Sequence, residues 1–263
     1  MMRAMPTPRQ LAEELTAVRA SRGLMTPPSQ QASPFSLAEG YEVADLLHKQ
    51  KVAAGAKQVG VKLGFTNQAI WQLVGLDQPF WSAIYDDTVT GAHAVSLEGF
   101  VAPRIEPEIV LGTRVALRSG ASTEEIAAAL DWASAGFEIV HCHYPDWIMS
   151  PADAIADAGL HGALVIGDRI EMLPESSKAL ASAVVRLRRC GDVVATGHGS
   201  DALGGPLEAV RWLLQLPGMD GLHAGSIVTT GTLTSAFPVH SGERWRSEIS
   251  CPVDLSPLEI TLA

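Results

Sequence analysis

The chain predicts an α+β fold: a mixed, β-rich core with a small helical part at its N-terminus. Three observations predict it. Helical periodicity with capping signals is concentrated before residue 57, period-two alternation begins at Gln58 and recurs to the C-terminus, and the later helical patterns are too few to supply a crossover for every strand of a βαβ array. The boundary therefore falls between a helical region, 1–57, and a main domain, 58–263.

Composition bounds the partners. The 263 residues are 47% hydrophobic, enough for a sizeable core, and carry a net charge of −10, which disfavours nucleic acid and anionic membrane surfaces. Cys142, Cys190 and Cys251 are odd in number, far apart and without a C-x-x-C pair, so they read as reduced thiols, each a small core residue. The start lacks an apolar signal region and no stretch approaches the ~20 apolar residues that span a bilayer, which makes the cytoplasm the expected compartment.

Residues 7–22 place Leu11, Leu15 and Val18 at helical spacing behind Pro8, and Gly23 ends the pattern. MTPPSQQASPF reads as an extended connector. Ser36 and Glu39 form a capping box; Leu37, Tyr41, Ala44 and Leu47 share one face, so a second helix should run to about Ala54. From Gln58, Val59, Val61, Leu63 and Phe65 alternate with Gly60, Lys62 and Gly64. Lys62 thus sits on the face opposite the apolar residues, between two glycines where backbone or ligand can approach. Residues 67–75 suggest a short helix capped by Asn67, and the aromatic QPFWSAIYDD reads as core.

GFVAPRIEPEIVL is a strand on which Glu106 and Glu108 share a face, so their carboxylates can converge on one cation. An isolated E-x-E pair is more often a solvated strand face, and the setting has to decide. Pro107 predicts an edge or a bulge. Ser122 and Glu125 open a helix whose stripe, Ile126, Leu130 and Ala133, runs to Gly136. In FEIVHCHY, strand parity puts Glu138 on the face opposite His141 and His143, and these two histidines read as packed or hydrogen-bonded. ADAIADAGLHGALVIG mixes a helical turn with a buried strand; SAVVRLRR and GDVVATG form a hairpin across Cys190-Gly191-Asp192; a helix starts at Pro206; and SIVTTGTLTSAFPV and RWRSEISC read as strands, with a close-approach turn at Gly231-Thr232. Gly197-His198-Gly199 lacks the strand-to-helix context of a dinucleotide fingerprint.

From about Val59 onward the chain resembles the 2-keto-4-pentenoate hydratase and 4-oxalocrotonate decarboxylase branch of the fumarylacetoacetate hydrolase superfamily. The resemblance rests on GVKLGFT, PRIEPEIVLG, DWASAGFEIV, the DW and ADA of PDWIMSPADAIADA, GGPLEAVRWL, AGSIVTTGTLT and PVHSGE, in that order. It implies a fumarylacetoacetate hydrolase-like catalytic domain over 58–263, with Glu106, Glu108 and Glu138 holding Mg²⁺ or Mn²⁺ and Lys62 near the reacting carbon. Three carboxylates form a hard oxygen set suited to those ions.

The departures from the pattern concern the substrate. Phe80 stands where hydratases of this branch carry an acid, His141-Cys142-His143 replaces Asp-Ser-Arg, and Ala158-Gly159-Leu160-His161 replaces Asn-Ala-Ser-Ser. His161 or His143 either replaces a missing proton-transfer group or is structural; His161 is the catalytic candidate, with Phe80 and Thr232 as substrate-binding candidates. The resemblance implies hydration of a small 2-hydroxy-2,4-dienoic acid to a 4-hydroxy-2-oxo acid, in a homo-oligomer. Decarboxylation of a 2-oxo-hexenedioate, or carbon–carbon bond hydrolysis, is the alternative. A third reading is a metal-binding partner subunit that has lost turnover.

Overall fold

The computed structural model describes residues 6–31, 34–91 and 93–263. Helix α1 (Pro8–Ser21) is capped by Thr7 and α2 (Leu37–Ala53) by Ser36, each through a reciprocal capping box that satisfies first-turn N–H groups. The connector between them is not wholly extended, because Pro28–Gln31 makes one helical turn. Leu11 and Leu15 of α1 and Val43 of α2 are buried in one cluster with Phe80, Val140, Tyr144 and Ile155, and Arg19 reaches over to Asp157 at 2.8 Å.

The main sheet is built from β1 (Gln58–Gly64), β2 (Phe80–Tyr85), β3 (Arg104–Thr113), β4 (Leu130–Val140), β5 (His161–Ile166) and β8 (Ile227–Thr229). Its order is β2-β1-β8-β3-β4-β5, followed by the short strand Val89–Thr90. The pairs β2/β1, β8/β3, β3/β4 and β4/β5 are antiparallel, while β1 and β8 run parallel. A second sheet joins the hairpin β6 (Val184–Arg189) and β7 (Asp192–His198) to β10 (Arg244–Ser250) and β11 (Leu258–Leu262). Helix α4 (Pro206–Leu213) contributes Leu207, Val210 and Leu213 to the core that this sheet shares with the main one.

The two faces of β3 and β4 differ. Residues directly opposed across an antiparallel pair share a face. Ile105 opposes Ile139 and Ile109 opposes Ala135, and with Leu111 and Phe137 all are fully buried in the large core. On the other face Val110 joins a small cluster with Ile84, Leu164, Ile166 and Ile227, and beyond it stand Glu108, Glu106 and Arg104. Among the described residues, no helix is long and apolar enough to cross a membrane.

Four expectations are corrected. Helix α3 (Thr123–Ala129) stops at Ala129, and Leu130 and Ala133 begin β4, not a further helical turn. A strand covered on both faces has no period to betray it, and pairing with β3 from Leu130 to Val140 decides the matter. Pro107 lies neither on an edge nor in a bulge. Its carbonyl accepts from Leu233 N at 2.9 Å, so its missing donor faces the gap between β8 and β9 (Phe237–Pro238), where no ladder bond is lost. The stretch 226–239 carries less strand than expected, only β8 and β9 at its two ends, while the turn expected at Gly231 is present with φ 96°. Cys190 is exposed in the β6/β7 turn and is not core, whereas Cys142 is buried; all three thiols are free.

Candidate metal centre

Pairing across β3 and β4 brings the acids together. Glu106 directly opposes Glu138, and Glu108 opposes Gly136, so the three carboxylates project from one face. One oxygen from each lies within 4.8 Å of the others. Glu108 and Glu138 are fully buried and Glu106 half-buried.

Lys62 reaches the same face from β1, in register with Thr229 of β8, which opposes Val110. Its glycine neighbours explain the close packing: a Cβ on Gly60 would stand 2.1 Å from the Ile227 carbonyl, and one on Gly64 2.2 Å from the Phe80 ring. Lys62 Nζ lies 3.1 Å from Glu138 Oε2 and donates to the Gly159 carbonyl at 3.0 Å.

That carbonyl belongs to a short left-handed turn. Ala158, Gly159 and Leu160 have φ of 52°, 65° and 61°, which costs on the order of 1 kcal/mol at each of the two non-glycine positions. Three hydrogen bonds hold it: Ser82 Oγ to Ala158 O (2.9 Å), Lys62 Nζ to Gly159 O (3.0 Å) and His141 N to Leu160 O (2.9 Å).

The other candidates are distributed around this centre. His161 Nδ1 lies 2.7 Å from Glu138 Oε1 and its Nε2 2.9 Å from Thr88 Oγ1, so the ring is held at both ends. Phe80 is buried with its ring 5.8 Å from Lys62 Nζ and packed edge-on to Phe65. Thr232 is half-buried and donates its hydroxyl to Thr234 O at 2.9 Å; the preceding Gly231 N–H donates to Glu108 Oε2 at 2.9 Å. His143 lies apart, bonded to Asp157 at 2.8 Å, and His141 packs against Phe100, as packed or hydrogen-bonded histidines should. The Thr88 contact carries no local signature in the sequence, whereas the close-approach turn expected at Gly231-Thr232 is where that N–H meets Glu108.

The electrostatics are those of crowded buried acids. Burial, then the charge of Lys62 opposing it and of Glu138 adding to it, leaves Glu106 pushed up to about 7; burial and both neighbouring carboxylates push Glu108 well above the carboxylate range. Glu138 goes the other way: burial would raise it, but Lys62 and the His161 hydrogen bond hold it below its ordinary value. Burial alone would lower Lys62, yet the three carboxylates raise it, so it carries its proton. Glu108 Oε1 is buried with no hydrogen-bond partner, and Glu138 Oε2 has an ionic neighbour in Lys62 without an aligned hydrogen bond. Converging all-oxygen donors with a buried, unsatisfied lone pair fit a hard divalent cation.

The fold and this carboxylate cluster place the chain in a known group. The family model described as fumarylacetoacetate (FAA) hydrolase C-terminal matches residues 75–261, and the chain belongs to that family. Within it, similarity is to the 2-keto-4-pentenoate hydratase and 4-oxalocrotonate decarboxylase branch. The chain is 30% identical over 235 residues to a 2-hydroxyhexa-2,4-dienoate hydratase of Comamonas testosteroni, covering 87% of this chain and 88% of that one. It is 29% identical over 245 residues to a 4-oxalocrotonate decarboxylase of a Pseudomonas species, covering 91% and 93%. Among solved structures, 4-oxalocrotonate decarboxylase from Pseudomonas putida G7, complexed with magnesium and adipate, matches with a TM-score of 0.89 at 25% identity over 96% of both chains.

Proposed function

We propose that Glu106, Glu108 and Glu138 hold Mg²⁺ or Mn²⁺ and that the chain is a hydratase adding water to a small 2-hydroxy-2,4-dienoate. The observation that carries this is the meeting of three carboxylates and one charged lysine on a single sheet face, Lys62 Nζ lying 3.1 Å from Glu138. Relatives named as dienoate hydratases, similar over more than four-fifths of both chains, support the substrate class.

Glu106, Glu108 and Glu138 would hold the divalent cation, which when bound would supply positive charge toward a 2-oxo acid and lower the cost of enolate charge. The chain's own residues do the rest. Lys62, protonated in the resting site, donates a proton to the terminal carbon of the dienol and regains one from the 2-hydroxyl, which yields the 2-oxo-enoate with the lysine restored; water then adds hydroxyl at C4 and hydrogen at C3. His161, held by Thr88, orients Glu138 against Lys62. Phe80 walls the lysine on its apolar side, and Thr232 borders the site after Gly231. The N-terminal helices over 1–57 complete the body that 58–263 forms, and the whole works as a homo-oligomer.

Decarboxylation of a 2-oxo-hexenedioate is the second reading. It is favoured by Phe80, an apolar ring where a hydratase of this branch has an acid to spare for water, and by the structural likeness to a decarboxylase. Incubation of the protein and Mn²⁺ with 2-hydroxypenta-2,4-dienoate and, separately, with 2-oxo-hex-3-enedioate decides between them. Loss of dienol absorbance without gas from the first substrate is expected; CO₂ release from the second alone would replace hydration by decarboxylation. Silence with both would favour a partner subunit without turnover.

A further inference from the structure

A cavity of about 440 Å³ lies between α1 and α2 on one side and the ends of β2 and β5 on the other. Its polar wall includes Arg19, Lys51, His141 and His161 beside the neutral Thr16, Gln50, Tyr85 and Thr88, and Leu47 and Phe100 are among its apolar residues. None of Lys62, Glu106, Glu108 or Glu138 lines it. His161 separates the two spaces, since its Nδ1 is spent on Glu138 and its Nε2 on Thr88.

The charge of this wall runs against that of the molecule. The chain carries −10, yet among the described residues no aspartate or glutamate lines the cavity, and two cations do. Their partners, Asp157 for Arg19 and Asp87 for Lys51, stand outside the lining. His141 is 6% exposed, and burial with the nearby Arg19 charge holds it down to about 3, so the ring is neutral. The ring thus adds a neutral, uncharged surface to the wall beside the two cations. Cationic rim, neutral imidazole and apolar floor together suit an anion on an apolar body.

We propose that this cavity binds a short-chain carboxylic acid, with its carboxylate at Arg19 and Lys51 and its chain along Leu47 and Phe100. A bound acid touches His161 and thereby the carboxylate it orients. The site stands on the cavity and not on the dienoate reading: a chain inactive on both dienoates still binds the acid, and an active chain that ignores it has no such site.

The test uses the full chain holding Mg²⁺, titrated calorimetrically with hexanoate and with the neutral hexanamide, while the histidine ring signals are followed by NMR. Hexanoate is expected to bind, to move the His141 and His161 signals, and to exceed hexanamide in affinity by about tenfold. Lys51→Glu should weaken hexanoate about tenfold and Leu47→Trp, which fills the floor, should abolish binding; Ala83→Met fills the same cavity should the tryptophan variant fail to fold. No binding, equal binding of hexanamide, or hexanoate binding that survives both the charge reversal and the filling would overturn the proposal, the last by assigning the acid to the carboxylate centre. Inhibition pattern then separates the source of the natural acid. Competition with the dienoate marks the substrate's own route, and non-competitive change marks a separate effector.

Discussion

The two faces of the β3/β4 pair share backbone, register and hydrogen bonds, and differ in everything else. One carries Ile105, Ile109, Leu111, Phe137 and Ile139, fully buried and apolar; the other carries Glu106, Glu108 and Glu138, crowded and partly unsatisfied. The first face gains free energy on folding and the second opposes it, so the strands hold a costly constellation because their backs are well packed. Substitutions on the two faces should therefore act on different quantities.

The largest effect is expected from Lys62→Met. Turnover of the dienoate should fall about 10²- to 10⁴-fold in steady-state kinetics while circular dichroism stays that of the folded chain; full turnover would remove the lysine from the mechanism. On the opposite face, Phe137→Ala should cost about 3–5 kcal/mol in urea unfolding and leave metal affinity of the folded protein near its original value. A parallel loss of both would mean that the faces are not separable. Glu108→Gln sharpens the contrast by its sign. Replacing this buried, half-satisfied carboxyl by an amide should leave the metal-free protein as stable or more stable by about 1 kcal/mol, while Mn²⁺ affinity measured by calorimetry collapses.

The smallest effect is a dependence on pH. Glu106 in the folded chain is raised to about 7, above its unfolded value, so its contribution to stability is complete below the ordinary carboxylate range and is lost as pH rises through about 7. A cation held there as proposed would bind the deprotonated carboxylates and relieve that loss. The rise in Tm on adding Mn²⁺ should thus be greater at pH 8 than at pH 6, and the reverse order would contradict the assignment of these acids as ligands.

What was legible in the sequence followed the range of each interaction. Glu106 and Glu108 needed only strand parity, and the glycines around Lys62 announced close packing at one position. Glu138 was reachable through the family resemblance but not through local pattern, because its place opposite Glu106 is a property of the pairing and the strand that carries it reads as a helix at Leu130 and Ala133. Pro107 misled for a related reason: whether a missing donor matters depends on which strand lies beside it. The bonds from His161 to Thr88 and from Arg19 to Asp157 join residues 73 and 138 positions apart, and no periodicity encodes them.

The position of β8 bears on how the protein comes into being on the ribosome. Lys62 is not on a strand adjacent to β3; Ile227–Thr229 lies between them, parallel to β1 and antiparallel to β3. Until that late segment leaves the exit tunnel, the nascent chain carries β1 and β3 with unpaired edges, a state open to wrong partners and in need of shielding. Non-local pairing of this kind is slow because loop closure precedes its reward. The lysine and the carboxylates can thus meet on one sheet only after residues 227–229 have been made, more than a hundred residues after the strand that carries Glu106 and Glu108.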